Sequence, residues 1–275
     1  MTSPSRNALR SVPFNMRCLQ SPRLELLFKE VSSYAEEVRV EEIIYRSDSP
    51  SREMHPAATV GLPFRRPTIQ IADSLSREER IEAIAHECLH LLLVYRHGLG
   101  VVGRRIPRPG NSEDVFHYYM AMNGDWAYLL GQVANTAHHL ILGDYLKKEY
   151  GVESHLHRRL LHHNFRILLG EKNRDKESAY AKGVIAYEYE RLIGSINGMM
   201  SPSCATEAFE RAYLAAKRNF GTHSFQSVPT PSAYETNILS FLEELGYDAG
   251  GFLFFPSITD EPFPARKDIG DHPIR

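Results

Sequence analysis

The sequence predicts a mainly helical α+β fold, with a small sheet beside one central helix and a helical C-terminal half. Three observations carry that expectation. Apolar residues recur at helical spacing over most of the chain beyond residue 76, whereas segments with strand-like alternation are few and short. With 275 residues, 43% of them hydrophobic, the chain is long enough to close around a substantial apolar core.

Ser21-Pro22 reads as a helix start with proline in the first turn, and Leu24, Leu26, Leu27, Val31 and Tyr34 follow at helical spacing to about Glu37. Residues 38–45 are rich in β-branched and aromatic residues, and Thr68-Ile69-Gln70-Ile71 alternates, so each predicts a short strand. The Ser/Pro-rich residues 47–63 between them read as a loop. Ser76, with Glu79 three positions on, carries a capping-box signature that opens a helix running to Gly98 or Gly100. Ile81, Ile84, Cys88, Leu91, Leu92 and Tyr95 cover most of its circumference, which is the pattern of a helix packed on several sides.

Residues 101–111 contain Gly103, Pro107, Pro109 and Gly110 and read as irregular loop. Asp125 opens a further helix that ends at Gly151, with Trp126, Leu130, Val133, Ala137, Ile141 and Asp144 on one side. More helices are expected near residues 153–169, 175–196, 202–220 and 231–245, then a terminal strand at 251–255. Residues 1–150 would form a metal-binding core, and 151–275 a helical subdomain packed on it or continuous with it.

Thirty-two basic against 34 acidic side chains leave a net charge of -2, which supplies no global field for nucleic acid or an anionic membrane. Arg104-Arg105 and Lys147-Lys148 read as solvated surface. Cys18, Cys88 and Cys204 are odd in number and scattered, with no Cys-x-x-Cys pair, which argues against a disulfide framework and for the reducing cytoplasm. The Ser/Arg/Pro-rich residues 1–17 have no apolar core segment and are read as neither a secretory signal nor a membrane anchor.

His86-Glu87-Cys88-Leu89-His90 is the stretch that names a chemistry. On a helix, positions i and i+4 lie about 6 Å apart on one face, so His86 and His90 can aim ring nitrogens at a common ion about 2 Å from each. Glu87 between them can act as general base. A catalytic zinc keeps three protein ligands and an open position, so a third ligand must come from elsewhere.

With the strand Thr68-Ile69-Gln70-Ile71 before it, Ala85-His86-Glu87-Cys88-Leu89-His90-Leu91-Leu92 resembles the active-site region of the zincin metallopeptidases. The resemblance covers about residues 67–98 and implies a zincin-like core. It makes His86 and His90 zinc ligands, Glu87 the general base and proton shuttle, and the strand at 68–72 an edge that pairs with an extended peptide. The metzincin extension is broken, since Leu93 and Arg96 stand at its glycine and last-histidine positions. His97 is one residue late and about 10 Å further along the helix than His90. The gluzincin branch takes a glutamate from a following helix, where this chain has Asn135-Thr136-Ala137-His138-His139.

Asn135, His138 and His139 lie away from the apolar stripe of their helix, toward a neighbour, which makes His139 the first choice for third ligand and His138 the alternative. Asp125, Asp144, Glu113 and Asp114 are the carboxylate substitutes. His155, His157, His162 and His163 sit among Arg158 and Arg159 and read as surface or helix packing. A donor for a tetrahedral intermediate is sought at Tyr118, Tyr119 or another tyrosine. The expectation is a zinc metallopeptidase acting on a peptide or protein, with neither nucleic acid nor membrane as partner. Two alternatives stand beside it: a non-peptidase metal enzyme or metal sensor on the same half-site, and a helical interaction protein whose pentapeptide is coincidental.

Overall fold

The structure, a computed structural model, describes residues 8–35, 38–45, 57–60, 67–104, 124–170, 173–196, 204–221 and 227–255. It is mainly helical α+β, as the periodicities predict. Strand β1 (Ala8–Pro13) leads into α1 (Pro22–Tyr34), which starts where expected: the Ser21 hydroxyl accepts from the Leu24 amide and Pro22 occupies the first turn. Then come β2 (Arg39–Tyr45), β3 (Ala57–Val60), β4 (Thr68–Ala72) and α2 (Arg77–Tyr95). Four strands form one sheet in the order β1-β2-β4-β3. The β2-β4 pair is parallel, while β1 and β3 run antiparallel to their neighbours.

Two of these strands correct the sequence reading. β3 lies inside the segment read as loop, and β1 inside the Ser/Arg/Pro-rich N-terminus. Both are edge strands, which need only one bonded neighbour and carry no long apolar run. A third correction follows α2, where β5 (Val101–Arg104) replaces the expected irregular chain and pairs antiparallel with β6 (Phe252–Phe255). Gly103 marked this strand as loop; cross-strand pairing with the aromatic C-terminal strand outweighs it.

In α2 the capping box forms in both directions, the Ser76 hydroxyl accepting from the Glu79 amide and the Glu79 carboxylate accepting from the Ser76 amide. Every residue from Glu82 to Val94 except His86 is buried, as expected for a helix covered on several sides. Gly98, at φ 68°, reverses the chain after α2, and the Leu99 amide donates back to the Leu93 carbonyl. That reversal turns the Leu99 carbonyl toward the next helix, where it meets a histidine.

The remaining helices are α3 (Gly124–Tyr145), which runs on through a π turn at Leu146–Tyr150, α4 (His155–Gly170), α5 (Lys176–Leu192), α6 (Glu207–Phe220) and α7 (Pro231–Glu244). One hydrophobic cluster extends from Leu19 to Phe254 and draws on residues from both sides of position 150. α5 is the inner post of the helical half, buried at every residue from Ser178 to Tyr189 and packed on α3, α4 and α6. Lys147, whose side chain is 65% exposed, pairs with Glu153 at 3.1 Å, so that basic pair is surface.

α5 and α6 pack tightly at Gly183, where a Cβ would stand 2.5 Å from the Phe209 carbonyl oxygen and 2.9 Å from the Ala212 Cβ. Backbone cannot yield there as a side-chain tip does. Gly183→Ala is therefore expected to cost about 1–3 kcal/mol of stability despite the better helix propensity of alanine. Denaturant unfolding measures it; an unchanged or raised midpoint would contradict the packing described.

Candidate metal centre

α2 and α3 cross with their histidines face to face. The Nε2 of His86 lies 3.1 Å from that of His90 and 3.3 Å from that of His139. The sequence placed His86 and His90 together by helical spacing; the fold brings in His139, the first choice for third ligand. His138 takes a different part. Its Nδ1 is 3.0 Å from Nδ1 of His90, and its Nε2 is 3.2 Å from the Leu99 carbonyl oxygen.

These contacts assign the tautomers. A carbonyl only accepts, so His138 carries its proton on Nε2; burial pushes its pKa down to about 4, which keeps the ring neutral and Nδ1 bare. His90 must then donate from Nδ1, and burial also holds this ring neutral, so its Nε2 is a bare lone pair. His139 reaches the same state from the other side. Its Nδ1 is 2.7 Å from Oε1 of Glu188, a carboxylate that only accepts, and burial lowers the pKa of His139 as well. Its Nε2 is bare too.

His86, likewise held neutral by burial, can offer at most one proton between two facing lone pairs. A cation between them would resolve the conflict. Tetrahedral coordination with metal–nitrogen bonds of about 2.0–2.1 Å puts neighbouring nitrogens about 3.3 Å apart, the spacing found here. The donor set thus fits a metal ion held by His86, His90 and His139. Two of the three rings are also supported from behind, His90 by His138 and His139 by Glu188.

Glu87, 8% exposed, accepts at Oε2 from the Thr59 hydroxyl of β3 at 2.8 Å. Burial raises its pKa to about 7, against the pull of the Thr59 hydrogen bonds and of His157 nearby. A carboxylate balanced at that value can take and return a proton near neutrality.

Two further residues of the centre were not identified from the sequence. Glu188, 3% exposed in the buried stretch of α5, accepts from the Thr136 hydroxyl at 2.6 Å as well as from His139. Burial opposes its ionisation, yet His139 and His157 beside it hold its carboxyl well below the usual range. His157 corrects an expectation. Read as surface or helix packing, it instead stacks on His86 with ring centroids 4.8 Å apart, meets His139 edge-on at 4.2 Å, and brings Nε2 to 3.5 Å from Glu188. The signals were present: a lone acid inside Ile185-Ala186-Tyr187-Glu188-Tyr189, and a histidine on the helix face it shares with Leu160 and Leu161.

The other histidines of α4 follow the expectation, His155 and His163 exposed and His162 packed on Tyr189. His97 lies 3.5 Å from the Tyr145 hydroxyl, outside the cluster, and Asp144 is exposed. Glu113, Asp114, Tyr118, Tyr119 and the side chain of Asp125 lie outside the described residues. The strand expectation is revised as well: β4 is flanked by β2 and β3, so it offers no free edge, and the open side nearest Glu87 belongs to β3. No protein-family model, curated protein or solved structure matches this chain. Among the described residues no helix is long and apolar enough to cross a membrane.

Proposed function

We propose that this protein is a zinc-dependent peptidase whose centre is His86, His90 and His139, with Glu87 as general base. The observation that carries this reading is the convergence of three imidazole nitrogens, two of them assigned as bare, with Glu87, a carboxylate raised to about pKa 7, on the helix that carries His86 and His90. Three neutral imidazoles, with the nitrogens of His90 and His139 each at tetrahedral spacing from that of His86, favour zinc over ions that prefer oxygen donors. Bound there, zinc would supply Lewis acidity to a peptide carbonyl and to the attacking water.

The chain's own groups do the rest. Glu87 takes the proton of the water and returns it to the leaving amine. Thr59 orients the carboxylate, its hydroxyl donating to Oε2. The outer edge of β3 has no partner strand among the described residues and is our choice for pairing with an extended peptide. Three cysteines without a disulfide support a cytoplasmic setting.

A second reading, a metal-dependent enzyme of a small molecule, draws on the depth of the centre, since Glu87 and His90 are each less than a tenth exposed. The test of both is hydrolysis of a peptide library, and of small ester and amide substrates, by protein purified without added metal, assayed for zinc, stripped and reloaded. Stoichiometric zinc with zinc-restored cleavage of peptides is the expected result. Zinc without peptide cleavage would transfer the case to the small-molecule reading, and absence of metal binding would end both.

A further inference from the structure

Glu188 is the most fully enclosed anion at the centre, and its contacts differ in kind from those among the ligands. The 2.7 Å from its Oε1 to Nδ1 of His139 is a hydrogen-bond distance, well short of the roughly 3.3 Å between donors that share one ion. Glu188, His139 and His157 lie close enough together to hold an ion themselves, but the hydrogen bond between Glu188 and His139 favours a support behind the first site. The support joins four helices. Glu188 stands on α5, accepts from Thr136 and His139 of α3 through its two oxygens, and faces Nε2 of His157 on α4. His157 is anchored in turn from α2, where the Glu82 carboxylate, one helical turn before His86, accepts the His157 amide at 3.0 Å.

We propose that Glu188 is a positioning residue of the metal centre: by holding Nδ1–H of His139 and facing His157, it sets the tautomer, aim and basicity of the third ligand, and thereby how tightly the ion is held. This rests on the reading of His86, His90 and His139 as ligands, and not on peptidase activity. Two physical consequences follow from the geometry. A carboxylate behind a ligating imidazole increases the electron density on its far nitrogen, which strengthens the bond to a cation. It also places a buried negative charge one ring away from the ion, where low dielectric makes the attraction count.

The test compares the wild-type chain with Glu188→Gln, which keeps the shape and an accepting oxygen but removes the charge. Zinc affinity is measured by competition with a chromophoric chelator, and coordination by the visible spectrum of the cobalt(II)-loaded protein. The expected result is a zinc dissociation constant raised roughly 10- to 100-fold and a displaced cobalt spectrum, with the circular dichroism of the metal-free protein unchanged. A Glu188→Gln protein that matches wild type in affinity and in cobalt spectrum overturns the proposal. If wild type itself binds neither ion, the metal reading fails and takes this inference with it. Should Glu188→Gln not fold, Thr136→Val, which removes only the hydroxyl donated to the other carboxylate oxygen, is expected to weaken zinc in the same direction; no change there overturns the proposal equally.

Discussion

Glu87→Gln is expected to lower turnover by roughly 10²- to 10⁴-fold while leaving zinc content at the wild-type level. The reason lies in what the substitution keeps. Glutamine has the volume of glutamate, and its amide oxygen can still accept the Thr59 hydroxyl that now meets Oε2 at 2.8 Å. The three imidazoles are untouched, because Glu87 points to β3 and is not among the grouped ligand atoms. What disappears is the proton affinity, raised to about 7 by burial, that lets the carboxylate take a proton from water and surrender it to an amine. Removing a buried ionisable group also relieves desolvation, so the fold is not expected to weaken. Steady-state kinetics beside elemental analysis measure the effect. Unchanged turnover at full zinc occupancy would remove Glu87 from the chemistry.

The second large effect is thermal. With free zinc near a thousand times its dissociation constant, binding adds about 4 kcal/mol to the folded state. At about 2–4 °C per kcal/mol for a chain near this size, the melting temperature is expected to rise by roughly 8–16 °C on loading and to return when a chelator removes the ion. His86→Ala and His139→Ala are each expected to abolish that rise. They should differ in the metal-free state. His139→Ala removes one of the two donors to the buried Glu188 carboxylate, a loss of about 1–3 kcal/mol for a hydrogen bond to a charged group, whereas the sequence-remote contacts of His86 are with other imidazoles. The metal-free melting temperature therefore falls further for His139→Ala, and adding Glu188→Gln to it recovers part of the loss. Scanning calorimetry with and without zinc separates these cases; equal metal-free melting temperatures for the two alanine variants would contradict the assigned His139–Glu188 contact.

Local rules carried a large share of the fold. The capping box at Ser76, the proline-led start of α1 and the alternation in β4 act within a few residues and formed as expected. Helix ends drifted where termination depends on packing: the segment read as starting at 202 becomes helix only at Glu207, and the one read to Ile196 stops at Leu192. Edge strands β1 and β3 were missed because backbone pairing to a neighbour, absent from any single-segment pattern, is what makes them strands.

The candidate site divides in the same way. His86, Glu87 and His90 were legible because a helix repeat fixes their relation regardless of what surrounds it. His139 was inferable as a polar residue on the side of a buried helix away from its apolar stripe, but its choice over His138 is a matter of tertiary structure. One turn of the chain at Gly98 sends the Leu99 carbonyl to His138, while Glu188, 49 residues on from His139, takes Nδ1 of that ring and leaves its far nitrogen facing His86. Sequence alone determined which helix could present a metal half-site, since that depends on spacing. Only the tertiary structure decided which imidazoles face that half-site and which stand behind them, because that depends on where buried acceptors from distant segments place the protons.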